Sequence, residues 1–251
     1  MINKKIMPVA KTERTNFGIF IPDLVTIAFS LNGHKIRAII LETMILIDSA
    51  GHSLFLQRIL QGDFWLFSRI NQDWANPIFD AILPFLRQSE IWVPFYLFLL
   101  VFITINFGKR GWWWALSLIF TAIIGDLVSS HLIKESVFRL RPCQEPQIAD
   151  TIRVLVAYCP NSSSFTSSHA CNHFALANFM FLTLRKTSRW WALVYVWAFL
   201  ISYAQIYVGV HYPVDVFCGA LIGCLIGYGT NRLFRFQFGP IALQPYNHTH
   251  A

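Results

Sequence analysis

The sequence predicts an all-α fold, a polytopic membrane bundle of five to six transmembrane helices with an interfacial amphipathic segment. Three observations lead there. Hydrophobic residues make up 55% of the 251 residues and charged residues 13%, against about 25% charged in a typical soluble domain. Mean hydropathy is +0.48. Apolar runs of membrane length recur along the chain, and its 23 Phe, 9 Trp and 8 Tyr suit lipid-facing helices with aromatic belts at the interfaces. The formal charge of +7 does not indicate nucleic acid, because Lys and Arg are scattered and form no basic face.

The elements follow in order. Residues 1–50 form an N-terminal region that begins "MINKKIMPVAKTERTNF", with no compact apolar core and small-residue cleavage site of a secretory signal. Its apolar stretches, 17–31 and 36–47, carry Asp23, Lys35, Arg37 and Glu42 and read as a first membrane helix or an interfacial one. Met44 is a plausible internal start. Residues 51–236 are the expected membrane domain and 237–251 a tail. Within the domain, "DFWLFSRINQDWANPIFDAILPFLRQSE" interleaves aromatics with charges, as an interfacial amphipathic element does. Five apolar runs follow at 91–107, 112–133, 169–184, 190–209 and 214–234, close to the 17–25 residues a bilayer core requires. No internal repeat is visible, which argues against a transporter built from two matching halves.

Charge orients the bundle. "GKRG" at 108–111, "RKTSR" at 185–189, Arg232 and Arg235 fall on one side if each run spans once, and the positive-inside rule makes that side cytoplasmic. The expectation is therefore a bacterial inner-membrane protein. The loop 134–168 and the 209–213 turn then face the extracytoplasmic side. That loop carries Lys134, Arg139, Arg141 and Arg153 against the topology signal, so it has another use for them. Cys143 and Cys159 lie in it and can pair on an oxidising face. Cys171, Cys218 and Cys224 lie in apolar runs as small buried residues.

Three clusters share this face: "KESVFRLRP" with Lys134 and Arg141 separated by six residues and Pro142 ending the helix, "FTSSHA" with Ser167, Ser168 and His169, and "YVGVHYPVD" with His211 and Asp215. Singly, each has a bland reading. The cations read as snorkelling side chains, "TSSH" as a helix N-cap, and Asp215 as a first-turn residue matched to the helix dipole. Jointly they describe a phosphate site. Cations and backbone N–H groups stabilise the charge of phosphoryl transfer, and small residues let a helix start approach phosphate oxygens. One imidazole can attack phosphorus, a carboxylate can hold its tautomer, and a second imidazole can protonate the leaving oxygen. The four-residue spacing puts Asp215 on the helical face of His211, with Pro213 in the first turn. Neither metal nor cofactor is expected. Asp126, inside a span, reads as a carboxylate bonded to Ser129, Ser130 or a neighbouring span, and His173 as a packed helix histidine rather than a site residue.

These motifs resemble the type-2 phosphatidic acid phosphatase superfamily, whose signature is K-x6-R-P, then P-S-G-H, then S-R-x5-H-x3-D. "KESVFRLRP" matches the first part. "TSSH" keeps Ser and His, with Thr166 for Pro and Ser168 for Gly. "AQIYVGVHYPVD" keeps His and Asp, with Ala204 for Ser and Gln205 for Arg. The resemblance covers residues 60–235. It implies a metal-independent lipid phosphatase with His211 as nucleophile, Asp215 as its relay partner and His169 as general acid. Lys134, Arg141, Ser167, Ser168 and Gln205 would hold the phosphate. Gln205 brings no positive charge, so either another cation, Arg139 being the candidate, compensates, or the site is slower or tuned to another headgroup. Polyprenyl pyrophosphate heads the implied substrates, before phosphatidylglycerol phosphate, phosphatidic acid or a lipid A phosphate. The rival reading is a non-catalytic member that binds lipid phosphate.

Overall fold

The computed structural model describes residues 54–241. The expectations for 17–31, 36–47 and Met44, and most of the tail, lie outside the described residues. From Arg58 onward the described residues form one compact unit, and it carries every site residue named above. Among the described residues it is helical, with no strand.

A first helix, α1, covers 54–68 of the described residues and passes into a π-helical turn, Arg69–Asp73. Helix α2, Pro77–Leu86, starts where Asn76 accepts a hydrogen bond from the Phe79 N–H and Pro77 occupies the first turn, a position where its missing N–H costs nothing. Trp65, Trp74, Ile78 and Phe85 are exposed along this stretch, as suits an element lying against a bilayer interface.

Helix α3, Val93–Asp126, is a helical run broken at Gly108, which has φ +54° and ψ −129°. That left-handed φ is open to glycine and disfavoured for other residues. The chain reverses there: Val93, Leu97 and Leu100 of the first leg face Ala115, Ile119 and Ile123 of the second across an apolar groove. The two runs expected at 91–107 and 112–133 are thus the legs of one hairpin. The second leg continues as a π-helix, Leu127–Ile133, and ends in the short turn Lys134–Ser136. Helices α4 (Ser168–Leu184), α5 (Leu193–Tyr207) and α6 (Pro213–Phe238) complete the bundle.

Three stretches among the described residues are long and apolar enough to cross a membrane: Ser89–Ser136, which contains the hairpin, Arg189–Tyr207 and Pro213–Phe238. Helix α4 has 17 residues and is buried along most of its length. It is wrapped by protein, so it carries less apolar surface than a lipid-facing span. Length and apolarity alone therefore do not establish the expected five to six spans.

The tightest packing is between α4 and α6. Gly223 and Gly227 of α6 lie against the backbone carbonyls of Cys171 and Ala175, leaving no room for a Cβ. Small residues at four-residue spacing are how helices in lipid approach closely, because van der Waals packing drives their association. The approach brings the start of α4 to the start of α6, where the Ser167 N–H donates to the Asp215 carbonyl at 3.1 Å. The basic loops gather at the opposite end: Arg185 and Lys186 line one small cavity with Arg235, and Trp113, beside the 108–111 turn, stacks on Phe238.

Candidate active site

Two local geometries differ from the sequence expectation. His211 and Asp215 do not share a helical face, since α6 begins at Pro213 with Tyr212 as its N-cap. Asp215 is the third residue of the helix, and its carboxylate turns back to accept the Tyr212 N–H at 3.0 Å. The four-residue spacing is spanned by this capping turn, which leaves His211 Nδ1 3.6 Å from Asp215 Oδ2. Likewise, Lys134 and Arg141 do not lie on one helix. The helix ends at Ser136, the chain leaves it through Val137 in extended conformation, and Pro142 opens a 3-10 turn instead of ending a helix.

His211 is 2% exposed and Asp215 fully buried. Ser164 sits at the imidazole–carboxylate junction, donating to Asp215 Oδ2 at 2.5 Å and lying 3.5 Å from His211 Nδ1. On the other side of the ring, Arg141 Nη1 is 3.1 Å from His211 Nε2. A guanidinium only donates, so Nε2 is the acceptor and the proton of the neutral ring sits on Nδ1, facing Asp215 and Ser164. Burial pushes the His211 imidazole down to about 4; the hydrogen bond to Asp215 opposes this, while Arg141 and Lys134 add to it. The ring is therefore neutral at physiological pH with a free electron pair on Nε2.

Arg141 is buried, unlike a snorkelling side chain. Its Nε and Nη2 donate to the Ser162 carbonyl, the Ser162 hydroxyl and the Ser163 carbonyl, and Nη1 to the Val210 carbonyl. Its bonds to His211 Nε2 and to the Ser162 hydroxyl are the ones a ligand can displace without unpicking the backbone. Arg139 does not compensate for Gln205. Its two amino groups are committed to Asp63 and Asp215, each at 2.6 Å, and its guanidinium lies over the Tyr212 ring at 4.2 Å. Arg153 is likewise occupied, pairing with Asp80 at 2.5 Å. The loop 134–168 keeps these two arginines to clasp itself to the bundle.

The start of α4 is capped by Ser167, whose hydroxyl accepts the Ala170 N–H. The Ser168 hydroxyl is 2.9 Å from that of Ser130, which donates to Asp126 at 2.8 Å, so Asp126 is the interface carboxylate expected. His169 is half-buried in the first turn. His173 packs its ring against Trp197 at 5.0 Å and lies with Nδ1 2.7 Å from the His169 carbonyl, a structural role. Gln205 is fully buried, and its backbone carbonyl accepts the backbone N–H of His211 at 3.2 Å. Lys134 is half-buried and makes no ion pair among the described residues.

The sequence reading missed Ser164, Asp63 and Arg87. Ser164 stands in "NSSSF", where nothing separates it from its neighbours. Asp63 lies upstream of every motif. Arg87 ends α2, and its Nε donates to Gln205 Oε1 at 3.4 Å. The Cys143–Cys159 pair is a disulfide with Cα atoms 6.1 Å apart, as the loop's placement suggested.

Similarity to known proteins agrees with this arrangement. The profile of the PAP2 superfamily matches residues 110–238. A lipid A 4′-phosphatase of Bacteroides thetaiotaomicron is 33% identical over 61% of this chain and 68% of its own length. The undecaprenyl-diphosphatase BcrC of Bacillus subtilis is 30% identical over 64% of this chain and 77% of its own length. A crystal structure of a transmembrane PAP2-type phosphatidylglycerolphosphate phosphatase from Bacillus subtilis superposes with a TM-score of 0.56, at 19% identity, covering 79% of this chain and 96% of that one. The chain is an integral membrane protein and belongs to the PAP2 superfamily.

Proposed function

We propose that this protein hydrolyses a lipid phosphate or pyrophosphate without a metal, through a phosphohistidine formed on His211, at the extracytoplasmic face of the membrane. The observation that carries this reading is the His211 imidazole, buried and neutral, with Nε2 toward Arg141 and Nδ1 toward Asp215 and Ser164. That is the tautomer an Nε2 nucleophile requires.

In the first step, a phosphoryl oxygen takes the Arg141 Nη1–H from His211 Nε2, and Nε2 attacks phosphorus. The bond from phosphorus to the lipid-side oxygen breaks, and His169 gives that oxygen a proton. Asp215 and Ser164 hold the Nδ1–H and stabilise the cationic ring. Lys134, Arg141, Gln205, Ser167 and the first-turn N–H groups at Ser168 bind the phosphoryl oxygens, as the open end of a helix does. Water then attacks phosphorus while His169 takes a proton from it, the bond from phosphorus to Nε2 breaks with its electron pair returning to His211, and inorganic phosphate leaves.

The gathering of Lys109, Arg110, Arg185, Lys186 and Arg235 away from the site supports an outward-facing site by the positive-inside rule. The disulfide at the site end supports the same orientation. A lipid A phosphate heads the substrate reading, because a relative covered over 68% of its length is a lipid A 4′-phosphatase. Polyprenyl pyrophosphate follows, on the undecaprenyl-diphosphatase relative.

The test is phosphate release by purified protein in detergent with EDTA, from lipid A, polyprenyl pyrophosphate, phosphatidylglycerol phosphate and phosphatidic acid, with His211→Ala in parallel. Release that survives EDTA and disappears in the variant supports the mechanism, and the preferred lipid names the substrate. A folded protein that binds these lipids and releases nothing from any of them is the non-catalytic member instead.

A further inference from the structure

Arg87 is half-buried and pairs with no carboxylate among the described residues. Arg139 has two carboxylates and Arg153 has one. A partly desolvated cation without a counter-ion is unfavourable, and among the described residues the Arg87 side chain makes one hydrogen bond, to Gln205 Oε1 at 3.4 Å. That bond fixes the amide, because a guanidinium can only face the carbonyl end. The other end, Gln205 Nε2, is a buried donor without a partner among the described residues, which is also unfavourable. Both unmet needs suit an anion, and Gln205 adjoins the nucleophile: its backbone carbonyl accepts the backbone N–H groups of His211 and Val210, each at 3.2 Å. Arg87 is also near enough to Arg141 to help burial lower the Arg141 guanidinium to about 10, against the pull of Asp215. On its outer side, Arg87 borders a cavity of about 270 Å³ lined by Leu155, Tyr158 and Pro160 of the disulfide-pinned loop.

We propose that Arg87 is a phosphate-binding residue of this site, its guanidinium and the Gln205 amide together filling the place where the family signature carries an arginine. This rests on the phosphatase reading given above. The two side chains are 118 residues apart, so the cation has moved from α5 to the end of α2 while the charge at the site is kept. An arginine at the end of a helix can also serve only the helix dipole, and the test separates the two roles.

Wild type, Arg87→Ala, Arg87→Lys and Arg87→Ala/Gln205→Arg are purified in detergent. Orthovanadate inhibition, kcat and KM on the preferred lipid, and the shift of Tm by inorganic phosphate are measured for each. The expected result for Arg87→Ala is vanadate inhibition weakened about tenfold or more and kcat/KM lowered on the order of 100-fold, with Tm in the absence of phosphate close to wild type. Arg87→Lys keeps more activity than Arg87→Ala, and Gln205→Arg recovers about tenfold of the loss. Vanadate affinity and kcat/KM of Arg87→Ala within about twofold of wild type overturn the proposal. So does a loss that tracks a lowered Tm and is not restored by Gln205→Arg. If wild type releases no phosphate from any lipid, the phosphatase reading falls, and the phosphate-induced Tm shift still decides on Arg87: its abolition in Arg87→Ala supports anion binding there, and an equal shift refutes it.

Discussion

Asp63 and Asp215 share one guanidinium: Arg139 places one amino group 2.6 Å from each carboxylate. Both side chains are fully buried. Asp63 also accepts the Val214 N–H at 2.8 Å, so a residue of α1 holds both the carboxylate beside His211 and the first turn of α6. Replacing Asp63 by Ala leaves Arg139 half-paired and the Val214 N–H without its acceptor. Breaking a buried pair in this way costs about 3–5 kcal/mol. The expected outcome is a clearly lower Tm in detergent and, in the folded fraction, a lower kcat as Asp215 loosens. An unchanged Tm and kcat would show that Asp63 only fills space.

The direction of the His211 shift predicts a pH response. Burial holds the imidazole at about 4, below the ordinary 6.5, so the ring stays neutral as pH falls through 6 and protonates only near 4. Nitrogen-15 shifts of labelled histidine, assigned with His211→Gln, should report an Nδ1–H, bare Nε2 tautomer from pH 8 to about 5. In Ser164→Ala the same tautomer should be less dominant and kcat reduced by about tenfold, since Asp215 loses its shortest hydrogen bond. A His211 midpoint at or above 6.5 would contradict the neutral nucleophile.

The disulfide closes a loop with a sequence separation of 16. A cross-link of that length contributes about 3 kcal/mol in the chain-entropy model. Cys143→Ser or treatment with a reductant should lower Tm and open the segment 144–158 to proteolysis. Resistance equal to wild type would mean that the Asn71 and Arg153 contacts, with Asn71 Nδ2 2.8 Å from the Arg153 carbonyl, hold the loop by themselves.

Gly223 meets the Cys171 carbonyl with no space for a side chain. Gly223→Val should push α4 from α6 and cost about 1–3 kcal/mol or more, as overpacking does. Activity should fall with it, because the same pair of helices positions Ser167 against Asp215. Gly229, with open space around its Cβ position, provides the control: Gly229→Ala should leave Tm and activity near wild type.

Much of the fold was legible in the sequence because its signals are local. Apolar runs located α3, α4, α5 and α6 to within a few residues, and Ser167 and Pro213 marked the starts of α4 and α6 as their residue types predict. The reversal between the two legs of α3 was legible in "GKRG", where polar residues and two glycines interrupt the apolar pattern. The turn around His211 was misread because a four-residue spacing fits both a helical face and a capping turn. The choice between them depends on where the helix begins.

The sequence by itself determined that the chain is a membrane bundle and that two histidines, an aspartate and several cations share one end of it. Only the tertiary structure decided which cation serves which anion. Arg139 was the expected substitute for the charge missing at Gln205, yet it is bound to Asp63 and Asp215, each 76 positions away. Arg87 reaches Gln205 from a helix outside all three motifs. The physical reason is range: periodicity and capping act over a few residues, whereas ion pairing follows whichever groups the packed helices bring within about 3 Å.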